Sequence, residues 1–208
     1  MKYYIYISDT KVDMLYAQIP IKLREKVATE LKIDLKLIST TLTQKAPEIT
    51  RFSKLKVVDE FIRQNEKFGE VDKPESYFGG SLNMRWGGYP SDFPKMVYFG
   101  GSTPNTILGL GGSLKHVMSN VGDARCSEII PMASDMPSLL YILEQSENNG
   151  FVSCETKEVG NLVAKTTLSM IGAEQRLEFC AKRLVESYYR TERKRVVLGS
   201  PIYVALVE

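Results

Sequence analysis

Glycine is concentrated in one part of this chain, and the cluster limits the available folds more than any other feature. Nine of the 15 glycines in the 208 residues lie between Gly79 and Gly112. Glycine weakens helix interiors and is common at turns and bulges. Three short strand-forming runs fall within this region, separated by turn residues: Ser81–Trp86, Lys95–Phe99 and Thr106–Leu110. The spacing predicts an antiparallel meander.

Hydrophobic periodicity predicts helices on both sides of the meander. Helical stripes follow Pro20 (Leu23, Val27, Leu31) and Pro47 (Phe52, Leu55, Val58, Ile62). A further helix is expected after Asp135, a weaker one over Val159–Met170, and a strong amphipathic one over Ala173–Tyr188.

Alternating or β-branched runs predict additional strands. They lie at Tyr3–Ile7, Ile33–Leu37, Val196–Leu198 and Ile202–Leu206. Strands at both chain ends with helices between them favour a single α+β domain over residues 1–208. We expect a mainly antiparallel sheet, with the glycine-rich meander at its centre, packed against several helices.

Composition excludes several classes of protein. The chain has 27 Lys and Arg against 25 Asp and Glu, a net charge of +2, so nucleic acid is not an expected partner. The three cysteines, Cys126, Cys154 and Cys180, form no CxxC pair, which favours a reducing compartment. No apolar run is long enough to span a bilayer. We therefore expect a cytoplasmic protein with no membrane partner, and self-association is left open.

One tetrapeptide recurs in the cluster, as Phe78–Ser81, Phe99–Ser102 and Leu110–Ser113, with Gly-Gly-Ser each time. Gly pairs allow close approach to the backbone, and successive N–H groups can form an anion-binding nest. The units therefore predict a rim that holds an anionic, nucleotide-like small molecule. The candidate ligand residues are Gly79, Gly80, Ser81, Arg85, Gly100, Gly101, Ser102, Gly111, Gly112, Ser113 and Lys115. Tight turns and bulges are the structural alternative for each unit.

His116 is the only histidine, and it follows the third unit directly. In an alternative reading, His116 is the general acid or base of a metal-independent phosphodiester hydrolase, with Lys115 stabilising charge. No metal site and no cofactor is predicted, because the glycine-rich segment contains only one carboxylate, Asp92. The sequence also lacks both the GxxxxGK[ST] and the GxGxxG phosphate-binding patterns.

Three other segments carry weaker signals. In an alternating strand, Met84 and Trp86 would face the core and Arg85 would face outward. Residues 182–195 contain six basic and two acidic residues, so a basic C-terminal helix there is a further candidate, as a protein-interaction surface. Lys11–Tyr16 is a candidate ligand loop after the first strand, with an ordinary capped turn as the alternative.

Several segments together resemble an uncharacterised bacterial family of similar length that has no established activity. They are residues 6–15, MRWG (84–87), YFGG (98–101), GLGGS with His116 following (109–116), QRLEF (175–179) and LGSPIYVA (198–205). The resemblance covers nearly the whole chain. It implies an intracellular bacterial protein of one domain and assigns no residue a role.

Overall fold

The computed structural model describes residues 2–31, 49–88, 96–118 and 156–207. The chain divides into two compact units, residues 9–67 and residues 1–8 with 68–208. A single domain over residues 1–208 stays a prediction. The expected strand Ile33–Leu37 and the helix after Asp135 lie outside the described residues.

Residues 9–67 form a helical unit with three described helices: α1 (Asp9–Gln18), α2 (Ile21–Glu30) and α3 (Arg51–Asn65). Pro20 stands at the N-cap of α2, and the Thr50 hydroxyl accepts the Ser53 N–H at the start of α3. Both predicted helices are thus confirmed. The ligand loop predicted at Lys11–Tyr16 is wrong, because those residues form α1 and bury Val12 and Tyr16.

The second unit is built on a seven-stranded sheet. Its strands are β1 (Tyr3–Ile7), β2 (Phe68–Gly69), β3 (Tyr77–Gly88), β4 (Met96–Ser102), β5 (Thr106–Ser113), β6 (Gln175–Tyr189) and β7 (Lys194–Leu206). A 3₁₀ turn (Leu114–His116) follows β5, and α4 (Thr156–Ser169) precedes β6.

Strand pairing closes this sheet into a barrel. Strands β3, β4 and β5 are antiparallel neighbours, which confirms the predicted meander, and β7 runs parallel to β5. Strand β6 pairs antiparallel with both β3 and β7 and so completes the circle. The α+β class is therefore confirmed, and the sequence did not indicate the closure.

The helix predicted over Ala173–Tyr188 is wrong, because this segment is β6. Leu177, Cys180, Ala181 and Leu184 recur at helical spacing, but Phe179, which that pattern leaves out, is fully buried as well. A strand that is buried on both faces produces a nearly continuous apolar run, and such a run also satisfies a helical pattern. The weaker helix predicted over Val159–Met170 is confirmed as α4, which begins three residues earlier, at Thr156.

Two apolar clusters hold the sheet unit together. The interior of the barrel contains aromatic and aliphatic side chains from every strand except β2, with Phe78, Phe99 and Phe179 among them. Val159, Leu162 and Val163 of α4 pack on the outside, against residues of β4 to β7. Glycine makes the close contacts possible: a Cβ on Gly112 would lie 2.7 Å from Cζ of Tyr6, and one on Gly100 would lie 3.1 Å from Cγ2 of Thr167.

Gly112→Ala and Gly87→Ala should therefore change stability in opposite directions. A methyl group on Gly112 would collide with the buried Tyr6 ring, and overpacking of this kind costs roughly 1–3 kcal/mol. A Cβ on Gly87 would meet nothing within 4 Å, and alanine restricts the unfolded chain. Denaturant unfolding should show a lower free energy of unfolding for Gly112→Ala and an equal or higher one for Gly87→Ala. Equal losses in the two variants would contradict this packing explanation.

Candidate ligand site at the His116 end of the barrel

The strand register defines two ends of the barrel. Ser102 pairs with Ile107, so the turn between β4 and β5, which contains Thr103, marks one end. Met96 pairs with Ser113 at the opposite end, where β5 passes into the 3₁₀ turn that contains His116. We call these the Thr103 end and the His116 end.

The three Gly-Gly-Ser units do not meet at one rim. Gly100, Gly101 and Ser102 finish β4 at the Thr103 end, whereas Gly111, Gly112 and Ser113 finish β5 at the His116 end. Gly79, Gly80 and Ser81 begin β3, which runs antiparallel to β4, so they also lie towards the Thr103 end. The structure thus brings two units to one end and separates the third from them.

The backbone of these units is engaged within the protein. Gly100 and Gly101 pair with β3 on one side and β5 on the other, and Gly79 and Gly80 pair with β6. Gly80 is the only one of the described meander glycines with a positive φ, at 153°. The described glycines of these units therefore form ladder pairs without a register shift, rather than an exposed nest of N–H groups or the tight turns and bulges of the structural alternative.

A row of four aromatic rings leads to the His116 end. Trp86 stacks on Phe99 with ring centroids 5.8 Å apart, and Phe99 meets the edge of Tyr6 at 5.9 Å. Tyr6 in turn meets His116 at 6.0 Å with the rings nearly perpendicular. The only tryptophan and the only histidine of the chain therefore belong to one contiguous aromatic row.

The polar candidates of this end follow one another in the sequence, at the end of β5 and on the 3₁₀ turn after it. His116 and Ser113 are each 8% exposed, and Lys115 between them is exposed. The turn is fixed to β1, because the Met118 N–H donates to the Ile5 carbonyl at 2.7 Å. A Cβ on Gly88 would lie 3.7 Å from Cδ1 of Leu114, so the end of β3 lies beside the same turn.

Arg85 and Trp86 have separate surroundings. Arg85 donates from Nε to the Gly172 carbonyl at 3.0 Å and forms an ion pair with Glu174 at 3.0 Å. Trp86 packs against the barrel interior and donates its indole N–H to Oε1 of Gln175 at 2.7 Å. The predicted alternation is confirmed, with Met84 buried inside, and Arg85 binds the segment between α4 and β6.

Sequence reasoning missed Tyr6 and Phe99 as parts of this end. Tyr6 belongs to a run of three tyrosines and two isoleucines, and nothing in that sequence separates Tyr6 from the other two tyrosines. Its position depends on the pairing of β1 with β7 and on a bridge to Val117, both of which are contacts across most of the chain. The missing side chain of Gly112 was the one available signal that a bulky ring packs against β5.

One titratable group of the helical unit has a strongly shifted proton affinity. Burial lowers the pKa of Lys11 in α1 from 10.5 to about 7. A buried ammonium group loses hydration, so the neutral amine is favoured. Such shifts occur at functional sites and also in purely structural positions.

The free energy of unfolding should consequently rise between about pH 7 and about pH 9. Lys11 has a folded-state pKa of about 7 and an ordinary value in the unfolded chain, so the unfolded state binds more protons in this window. The expected slope is roughly 1.4 kcal/mol per pH unit. Urea unfolding of wild type and Lys11→Met measures it, because the variant lacks this rise. Lys22→Met, which alters an exposed lysine of α2, is the control and should keep it. A slope that survives in Lys11→Met would contradict the assignment.

Within the described ranges, no group of three or more His, Cys, Asp or Glu side chains is arranged to hold a metal ion. None of the helices in that part of the chain is long and apolar enough to cross a membrane.

The fold defines an α+β protein in which a closed sheet carries α4 on its outer surface. The chain belongs to a family of unknown function, DUF7019, which matches residues 2–208. This match confirms the prediction that the chain belongs to an uncharacterised family and that the similarity covers nearly the whole sequence. A bacterial origin stays a prediction. No curated protein and no solved structure matches the chain.

Proposed function

We propose that this protein binds an anionic, nucleotide-like small molecule at the His116 end of the barrel. The observation that carries the proposal is the succession of Ser113 at the end of β5 and of Lys115 and His116 on the short turn after it, where the aromatic row ends. A hydroxyl, an ammonium group and an imidazole are all hydrogen-bond donors to phosphate oxygens. The Gly-Gly-Ser rim of the sequence prediction is thus reduced to its third unit.

The exposure of these three residues supports a site at the protein surface in which one binding group is exposed and two are nearly buried. Lys115 is exposed and would meet the anion first, while Ser113 and His116 are buried apart from a small exposed fraction. Hydrogen bonds to charged ligand atoms gain strength where water is partly excluded. His116 is also held by its contact with Tyr6, so it would bind with little loss of side-chain freedom.

Trp86 supports the nucleotide-like character of the ligand. Phe99 covers one face of its half-buried indole, and the bond to Gln175 fixes the orientation of the ring. Aromatic faces stack on nucleobases with an energy of roughly 1–3 kcal/mol per base. The ligand-binding role of Arg85 stays a prediction, because Glu174 already forms an ion pair with the Arg85 guanidinium.

A thermal-shift screen with nucleoside phosphates, cyclic dinucleotides and inorganic phosphate tests the proposal. A ligand at 100 times its dissociation constant adds about 2.7 kcal/mol to the stability of the folded state. We expect at least one compound to raise Tm in wild type and to lose at least tenfold in affinity in Lys115→Gln. Lys73→Gln, at an exposed lysine of the β2–β3 connection, is the matched control and should bind as wild type does.

Two results would count against this proposal. The first is the absence of any Tm increase across the screen together with no small molecule in mass spectra of the purified protein. The second is binding that Lys115→Gln and His116→Gln leave unchanged, which would move the site elsewhere. Hydrolysis of the bound compound by wild type and not by His116→Asn would instead favour the phosphodiesterase alternative.

A further inference from the structure

Strand β6 extends beyond its partner on one side. Its last pair with β3 joins Lys182 to Tyr77, and the Arg183 N–H then donates to the Ser76 carbonyl at 3.1 Å. A register shift lies between Arg183 and Val185, and from Val185 to Tyr189 β6 pairs with β7 alone among the described residues. Within the part of the chain that the structure describes, the outer edge of this five-residue stretch has unpaired backbone groups, which can template an additional strand.

Basic residues lie on both sides of this open edge, and internal ion pairs do not balance all of them. Residues 182–195 hold six basic and two acidic side chains. Glu186 bonds to both Arg183 and Arg195, and Glu192 pairs with Lys194 at 3.1 Å. Arg190 and Arg193, in the turn between β6 and β7, have no carboxylate partner among the described residues.

The two faces of the open stretch differ. Val185 is buried against α4, and a Cβ on Gly160 of that helix would lie 2.7 Å from Cβ of Ser187, so this face is covered. Glu186 and Tyr188 alternate with them and face solvent, and Tyr188 is 54% exposed. One face is thus rigidly supported and the other is available for side-chain contacts.

We propose that the open edge of β6 (Val185–Tyr189) binds an extended acidic peptide segment of a partner protein as an added strand. Backbone hydrogen bonds to the edge would supply affinity, as in other cases of β-strand addition. Acidic side chains of the peptide would meet Arg190 and Arg193 in the turn beyond the edge. The basic segment that the sequence predicted as a helix thereby becomes a strand edge and its adjoining turn.

Charge disfavours a second copy of the chain as the occupant. Antiparallel pairing of two β6 edges with Glu186 opposite Ser187 would bring Arg190 of each copy towards Arg183 of the other. Like charges close to each other destabilise paired strands. An acidic guest strand brings no basic side chain towards Arg190, and Glu186 is already bonded to Arg183 and Arg195.

Fluorescence polarisation with short labelled peptides tests the proposal on the full chain. The probe is an eight-residue peptide of alternating Glu and Val, compared with a Lys/Val peptide and with a Glu/Val peptide N-methylated on both edges. We expect the Glu/Val peptide to bind, the Lys/Val peptide not to bind, and N-methylation to weaken binding at least tenfold, because it removes the backbone donors.

The protein variants are chosen to leave the fold intact. Arg190→Glu with Arg193→Asn should weaken the Glu/Val peptide at least tenfold; asparagine suits position 193, where φ is 54°. Arg176→Glu, at an exposed position near the start of β6, is the control and should bind normally. Thermal unfolding of each variant checks that it is folded.

Three results would overturn the proposal. Equal binding of the N-methylated peptide would mean that charge alone attracts it. Equal binding by the Arg190/Arg193 variant would place the peptide elsewhere. Binding of a single-stranded oligonucleotide that this variant loses, with no binding of the Glu/Val peptide, would assign the surface to nucleic acid.

Discussion

The pairing of β6 with both β3 and β7 is the constraint on which the sheet unit depends. It turns an open sheet into a closed one, and a barrel formed by β3 to β7 has a narrow interior. Large rings such as Phe78 and Tyr6 fit there only where the facing strand carries no side chain. A Cβ on Gly199 would lie 2.9 Å from Cζ of Phe78, and Gly112 faces Tyr6 in the same way. The closed sheet therefore requires glycine at the positions that the large interior rings approach, and this is one packing requirement.

The same requirement determines the character of the two barrel ends. At the His116 end, the ring of Tyr6 joins the core to a polar turn, so the boundary between apolar interior and charged rim is sharp. At the Thr103 end, the Thr103 hydroxyl donates to Asp72 at 2.6 Å and helps to keep the pKa of that carboxyl below its usual value. That end is consequently held by polar contacts within the protein, whereas Lys115 at the other end remains exposed.

Local patterns predicted the elements whose structure is decided locally. The stripes of α2 and α3 and the runs of β3 to β5 follow from periodicity and turn residues alone. Strand β6 could not be predicted in this way, because Phe179 and Cys180 are both buried and the partners that bury them lie far away in the sequence. The site shows the same division: the His116 turn is a local feature, whereas the approach of Tyr6 depends on long-range pairing. The Gly-Gly-Ser units that finish β4 and β5 lie at opposite ends because neighbouring antiparallel strands run in opposite directions.

The position of Trp86 has a practical consequence. It is the only tryptophan in the chain, and it is stacked on Phe99 and bonded to Gln175 within the aromatic row. Its fluorescence therefore reports on a single, structurally defined place in the molecule. Changes in its emission follow the polarity and order of that end of the barrel, without any introduced label. The protein thus contains an intrinsic optical probe in the aromatic row that leads to its candidate binding site.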